Sequence, residues 1–403
     1  MKNKRLVVNK ATLLLTIVFL FLFLPEYFQR DDTVRYFYFI LGSAVSVLFI
    51  LKSILVMKKG ANKYGIILLI EVFVFYFIIL ASTILNSGSY NSYLANSIIG
   101  VGTCSLLLYS FSMDRVEETL KALIISLEFY VTINLITVLM YPEGLYVLKS
   151  YVGNTFNEAF ILGHRNNSIE YCIPLVGFNV LLELYRGKKY TKNHIYCLII
   201  SSATVVLTWS VNAILCMLFL IMMDLYIVLR KKSFIISVGK LYLISFTVSV
   251  LVIIYNIQTL FVGLLSRYLN RNVTFSSRTE IWKRAVPAVL SNLWHGYGVE
   301  KDLIKFRRIR HPNSCHNYFL DYLYYGGVFL LADVTLMIFT ITKRLEKFDG
   351  NIKTRISVIF GGYFILWIAT PIHRNTIFIM FAFFISSICI PWENLKATNK
   401  DNA

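Results

Sequence analysis

Apolar runs near twenty residues recur from one end of this chain to the other. "TLLLTIVFLFLF", "IILLIEVFVFYFIILASTIL" and "FIMFAFFISSICI" are three of them. About 20 apolar residues wound as a helix cross the ~30 Å hydrocarbon core of a bilayer. Inside lipid every backbone polar group must be satisfied by the segment itself, so repeated runs of this length specify a helical bundle. Ten-residue alternating strands are absent, which argues against a barrel. The chain of 403 residues is 57% hydrophobic with a mean hydropathy of +0.64, and no stretch is long and polar enough for a soluble domain. The expected fold is an all-α integral membrane protein. Its first run follows Met-Lys-Asn-Lys-Arg and ends in "LPEYFQRDD" without a small-residue cleavage site, so it reads as an uncleaved span.

Hydropathy gives about twelve transmembrane helices, at 10–25, 35–56, 64–85, 94–113, 119–141, 168–186, 194–209, 212–229, 234–256, 317–341, 354–371 and 375–391. Two connections are long. Residues 142–167 form one outer loop, and 257–316 form a large extracytoplasmic loop expected to contain short helices. The chain thus divides into 1–256 (helices one to nine with the first outer loop), 257–316 (the large loop, the expected catalytic region) and 317–403 (helices ten to twelve and a cytoplasmic tail).

Alternate short loops are rich in Lys and Arg. Lys2, Lys4, Arg5 and Lys10 precede the first span; Lys52, Lys58, Lys59 and Lys63 follow the second; Arg186, Lys188, Lys189 and Lys192 follow the sixth. Such loops stay in the cytoplasm, so both termini are expected there, in a bacterial cytoplasmic membrane. An even number of spans agrees with that parity. The 257–316 loop is also basic, with Arg278, Lys283, Arg284, Lys301, Lys305, Arg307, Arg308 and Arg310 among its cations. Long loops translocate largely regardless of charge. A basic surface outside the membrane points to an anionic partner held near the lipid; snorkelling into headgroups is the plainer account, above all for "KFRRIR".

Cys104, Cys172, Cys197, Cys216, Cys315 and Cys389 show no CxxC spacing, and buried thiols acting as small hydrophobes are the simplest reading. His164, His295, His311, His316 and His373 fall on the outer face, and His194 alone on the cytoplasmic side. Four acids lie inside apolar runs: Glu71, Glu128, Asp224 and Asp333. Glu71 lies deepest and is expected to pair with a polar group of the bundle.

Within the long loop, "SRTEIWKRAVPAVLSNLWHGYG" (277–298) reads as a helix opened by a Ser277–Glu280 capping box and closed by glycines. Arg278 would then be its first residue, where a guanidinium beside free N–H groups suits a phosphate. Trp282 and Ala285 share its face; Trp282 is either an interfacial anchor or a sugar-stacking surface. His316 and Asn317 begin the tenth span, and His316 either exchanges a proton or caps a helix. "GHRNNS" (163–168) and "TPIHRNTIF" share a His-Arg-Asn triplet at two outer turns, so Arg165, Arg278 and Arg374 would form a cluster fit for a diphosphate.

The pattern "SRTEIW…HGYG…HNYFLDYLYYGGV" resembles the signature region of the O-antigen ligase and polymerase-like superfamily, which includes the Wzy-type polymerases. "FILGHRNNS" resembles its earlier outer-loop motif. "LTWSVNAIL" resembles its mid-chain hairpin, with Val211 and Asn212 where Ser-Arg is usual. The resemblance implies a metal-independent, inverting glycosyltransferase without a cofactor, acting on a glycan carried by undecaprenyl diphosphate. His316 is then the candidate base, Arg278, Arg165 and Arg374 bind the diphosphate, and Asn317, Trp282 and His164 position substrate. Polymerase and ligase share these motifs; a flippase and a chain-length regulator would be the partners of a polymerase. No Gly-rich nucleotide loop, no Asp-x-Asp and no nucleic-acid partner are indicated. A lipid-oligosaccharide flippase is the alternative of another class, but matching halves are not evident.

Overall fold

A computed structural model describes residues 9–57, 62–149, 156–230, 237–255, 275–311 and 314–392. Among these, twelve helices fall on the expected spans: α1 (Lys10–Leu22), α2 (Asp32–Met57), α3 (Lys63–Leu85), α4 (Asn91–Ser112), α5 (Val116–Met140), α6 (Ile169–Tyr185), α7 (Lys192–Leu207), α8 (Val211–Arg230), α9 (Val238–Tyr255), α12 (Tyr318–Leu345), α13 (Gly350–Ala369) and α14 (Ile377–Cys389). Between α9 and α12 come α10 (Phe275–Ser291) and α11 (Asp302–Ile309), the short helices expected in the large loop. Residues 257–274 of that loop, with Arg267 and Arg271, and residues 312–313 lie outside the described residues. Eight helices, α2 to α5, α8, α9, α12 and α13, are long and apolar enough to cross a membrane. The chain is a multi-pass helical membrane protein. Crossing by α1, α6, α7 and α14, of 13, 17, 16 and 13 residues, rests on the sequence reading alone.

Side-chain caps start several helices where the sequence offers a short polar residue. Asn9 accepts from the Thr12 amide, Asn62 from Tyr64, Thr191 from His194 and Asp349 from Asn351. The core gathers round α14 and α6. Every residue of α14 is buried, and α6 is buried from Ile169 to Leu184 against α5, α7, α13 and α14. A helix apolar on all sides belongs inside a bundle. By contrast α2 turns Phe37, Ile40, Leu51 and Leu55 outward, as a lipid-facing helix does. Helices in lipid gain little from apolar burial and depend on close packing of small residues. Accordingly α2 meets α4 where a Cβ on Gly102 would lie 2.1 Å from that of Ser46. Glu71 pairs with the Thr340 hydroxyl at 2.8 Å, as its depth required.

Polar groups separate to the two ends of the bundle. At one end Asn62 donates to the Ile388 carbonyl, Arg186 meets Glu117, and a buried cluster joins α6, α7, α8 and α13. In it Arg355 contacts Glu183 at 2.5 Å, His194 Nε2 lies 2.9 Å from Asp224, and the Thr191 amide donates to Glu183. This knot was not foreseen, since its four members come from four separate helices. The other end collects the turn after α1, the α3–α4 turn, loop 142–167, α10, α11 and the α13–α14 turn.

Three expectations are corrected at that second end. Loop 142–167 contains a small antiparallel sheet, β1 (Tyr146–Lys149), β2 (Phe156–Phe160) and β3 (Gly163–His164), in that order, so the chain is not wholly helical. α10 starts at Phe275, so Ser277 lies within its first turn, Arg278 is not its first residue, and Glu280 contacts Arg284 at 2.9 Å instead of closing a capping box. "KFRRIR" is no simple headgroup strip. Lys305 is 2% exposed and donates to the Tyr325 hydroxyl at 2.8 Å, while Arg308 contacts Glu300 at 2.9 Å and covers the Tyr297 ring.

The glycine motifs lock α12 to the loop. Gly327, at φ +64 and ψ −157, breaks α12. The carbonyls of Tyr324 and Tyr325 there accept from the amides of Tyr297 and Gly298 at 2.7 and 3.0 Å, and the Val328 amide donates to Leu293. Irregular backbone at such depth is stable only when protein satisfies it. A Cβ on Gly327 would fall 2.2 Å from the Trp294 carbonyl, so no other residue fits.

Candidate active site

The lock carries α10 and the start of α12 to one place. On α10 the buried face runs through Trp282 (1% exposed), Ala285 and Val289. Trp282 Nε1 donates to the Cys315 carbonyl at 2.9 Å, directly before His316. Asn317 is fully buried: its Oδ1 caps α12 through the Leu320 amide, and its Nδ2 donates to Ser249 and to the Ile368 carbonyl. These two residues therefore do other work than the expected substrate contacts. Trp282 has no free face to stack a sugar or anchor at an interface, and Asn317 spends its amide on the fold. Asp321 fixes both flanks of the turn, accepting from the Cys315 amide at 2.7 Å and the Ile372 amide at 3.1 Å.

Between these fixed neighbours His316 takes a left-handed backbone, φ +55, uncommon for a residue with a Cβ. Its Nε2 lies 3.1 Å from His311 Nε2, the rings meeting edge to face at 4.4 Å. The Ser314 amide donates to His311 Nδ1 at 3.2 Å. His316 Nδ1 is shut off from solvent and has no hydrogen-bond partner among the described residues.

His316 is the centre of a cluster of basic side chains. Burial pushes its pKa well below the usual histidine range, and His311, Arg278, His373 and His164 add to the shift. His311 falls to about 4 through burial and then Lys305. His164 falls to about 4 through burial and Arg165, and His373 to about 3 through burial, His164 and Arg374. Burial also pulls the Arg278 guanidinium down, the mark of a cation in a poorly solvated place. Thus Arg278 and His164 each lie near enough to act on His316 through space, while Arg165 and Arg374 adjoin cluster members in the chain. Arg165 lies 3.5 Å from Glu158.

Two clefts open beside the cluster, and Arg374 lines both. The larger, about 610 Å³, runs between α11 and the α3–α4 turn past Lys301, Arg307 and Ser92. The smaller, about 180 Å³, is lined by Glu26, Asn167, His373 and Thr376. Below His373 lies Glu170, in the first turn of α6 and 7% exposed. Thr376 donates to one of its oxygens; the other stands 3.9 Å from His373 Nε2, and neither of those two atoms has a hydrogen-bond partner among the described residues. Glu170 and His373 were not assigned to the site from the sequence. The only hint was that Glu170 follows "GHRNNS" closely while His373 opens the second triplet.

Residues 196–334 match the family model of the O-antigen ligase. This stretch, about a third of the chain, is similar to the O-antigen ligase family. That match runs from α7 into α12 and contains Arg278, Trp282, His311, His316 and Asn317. Arg165, His164, Glu170 and Arg374 lie beyond the matched residues. No curated protein and no solved structure matches the chain.

Proposed function

We propose that the protein is a polymerase that joins oligosaccharide repeat units carried on undecaprenyl diphosphate, at the outer face of the cytoplasmic membrane. The reaction is an inverting, metal-independent glycosyl transfer. An acceptor hydroxyl attacks the anomeric carbon of the donor glycan, and the lipid diphosphate departs. The observation that carries this reading is the convergence of Arg278, His316, His311, His164 and His373 at one end of the bundle, inside and around the residues that match the O-antigen ligase family. A leaving diphosphate needs fixed positive charge where its charge develops, and preorganised donors there contribute most of such catalysis. Arg278 is the first of these donors, with Arg165 and Arg374 at the rim. The two clefts that meet at Arg374 suit a reaction that brings two glycans together.

The name of the matching family supports a second reading, a ligase that moves a finished glycan onto a surface acceptor. One experiment separates them. Surface polysaccharide is sized by gel in a deletion strain complemented with wild type, Arg278→Ala or His316→Ala, at matched membrane levels. Single repeat units with both variants support the polymerase. Long, unattached chains support the ligase. Wild-type chains from both variants would remove this site from either activity.

A further inference from the structure

The hydrogen bonds around His316 fix where its proton sits. A backbone N–H can only donate, so the Ser314 amide makes His311 Nδ1 an acceptor. Neutral His311 then carries its proton on Nε2 and donates it to His316 Nε2, 3.1 Å away. His316 Nε2 is therefore an acceptor, and the His316 proton is on Nδ1. That N–H is buried and unpartnered, in a cluster with Arg278. A buried donor without an acceptor is costly in a folded protein and marks a place kept for a ligand. The opposite tautomer would set the Ser314 and His311 Nδ1 protons against each other.

A histidine that shows a proton to the site cannot take one there. From this geometry, and resting on the glycosyl-transfer reading above, we infer that His316 donates through Nδ1–H to the leaving diphosphate, and that His373, which lines the smaller cleft, takes the proton of the attacking hydroxyl. Glu170 Oε1 stands 3.9 Å from His373 Nε2, outside hydrogen-bond distance, and neither atom has a hydrogen-bond partner among the described residues. In the transfer the hydroxyl O–H bond breaks and its proton passes to His373. The oxygen forms the new bond to the anomeric carbon. The bond from that carbon to the diphosphate oxygen breaks, and its electron pair leaves with the lipid diphosphate, stabilised by His316 and Arg278. His373 then releases the proton to water.

Two measurements test this, one of them independent of activity. In protein labelled with nitrogen-15 histidine and held in lipid near neutral pH, the signals missing from His316→Asn belong to His316. They are expected to report a protonated Nδ1 and a bare Nε2; a protonated Nε2 overturns the inference and leaves the glycosyl-transfer reading intact. The second measurement is glycan extension from purified undecaprenyl-diphosphate-linked oligosaccharide. His316→Asn keeps a donor at the Nδ1 position and tolerates the left-handed backbone. It should retain activity within about tenfold of wild type, whereas His316→Ala should lose about 10²–10³-fold. His373→Gln should lose about 10²–10⁴-fold. A His316→Asn variant as inactive as His316→Ala, with His373→Gln active, overturns the assignment. Wild-type extension by every variant overturns it together with the reading beneath it.

Discussion

Arg278 and His316 hold charge and protons where water is scarce, and this sets how each responds to change. Arg278 sits on the buried face of α10, one turn before Trp282. A lysine there keeps the charge but loses the planar fork that meets two phosphate oxygens at once. Arg278→Ala is expected to lower glycan extension by about 10²-fold, with Arg278→Lys recovering only part of it; rates at saturating lipid-linked substrate decide the point. The histidines give a pH dependence of known sign. His164 and His311 lie at about 4 in the folded protein and His373 at about 3, below the ordinary 6.5. Below 6.5 the unfolded chain binds more protons than the folded one, so stability rises with pH in that window. Stability of the purified protein should be full near pH 7.5, fall steadily as pH drops below about 6.5, and go on falling, more gently, below about 4 as His373 and His316 remain to be protonated. Replacing His164 with Gln should flatten that fall in a thermal-denaturation series. Arg278 and His316 were legible in the sequence because each stands at a helix start inside a polar island. Glu170 and His373 were not, because only the packing of α6 against the α13–α14 turn brings them together.

The elements show where spacing informs and where it fails. Apolar runs mark all twelve helices, eight of which are long and apolar enough to cross a membrane. The sheet in loop 142–167 escaped, since strands of four, five and two residues are too short for alternation to register. The break in α12 was half visible as "YYGGV", although nothing in the sequence paired it with "HGYG". Gly327→Ala puts a methyl against the Trp294 carbonyl at positive φ, and should detach the loop from α12. Extension should be lost while the bundle still inserts, as read by limited proteolysis that now cuts near residues 292–300. The charged knot at the other end makes the opposite prediction. Glu183→Gln leaves Arg355 buried beside a neutral partner, which costs about 3–5 kcal/mol when a buried pair is broken. Thermal unfolding in detergent should register that loss. A double replacement of Glu183 and Arg355 by apolar residues should recover part of it, because two buried charges are removed together.

At the scale of the whole molecule, orientation decides whether the site can meet a lipid-linked glycan at all. The helices place α10, α11 and the α13–α14 turn at one end and the Lys- and Arg-rich loops at the other, and the charge asymmetry leads us to propose that the Lys- and Arg-rich end is cytoplasmic. The chain allows a clean test. All six native cysteines are buried, so a membrane-impermeant maleimide should leave the wild type unlabelled in intact cells. Lys301 at the rim of the larger cleft and Lys188 after α6 are both exposed. Lys301→Cys should label in intact cells, and Lys188→Cys only after the membrane is opened. The reverse pattern would turn the bundle over and put the cluster of basic side chains on the side of nucleotide-linked precursors, where a diphosphate leaving group would be a nucleotide and the polymerase and ligase readings would both fall. Labelling at Lys301 that also drops when lipid-linked oligosaccharide is added would tie the cleft itself to the substrate, since only an occupied cleft shields a thiol at its rim.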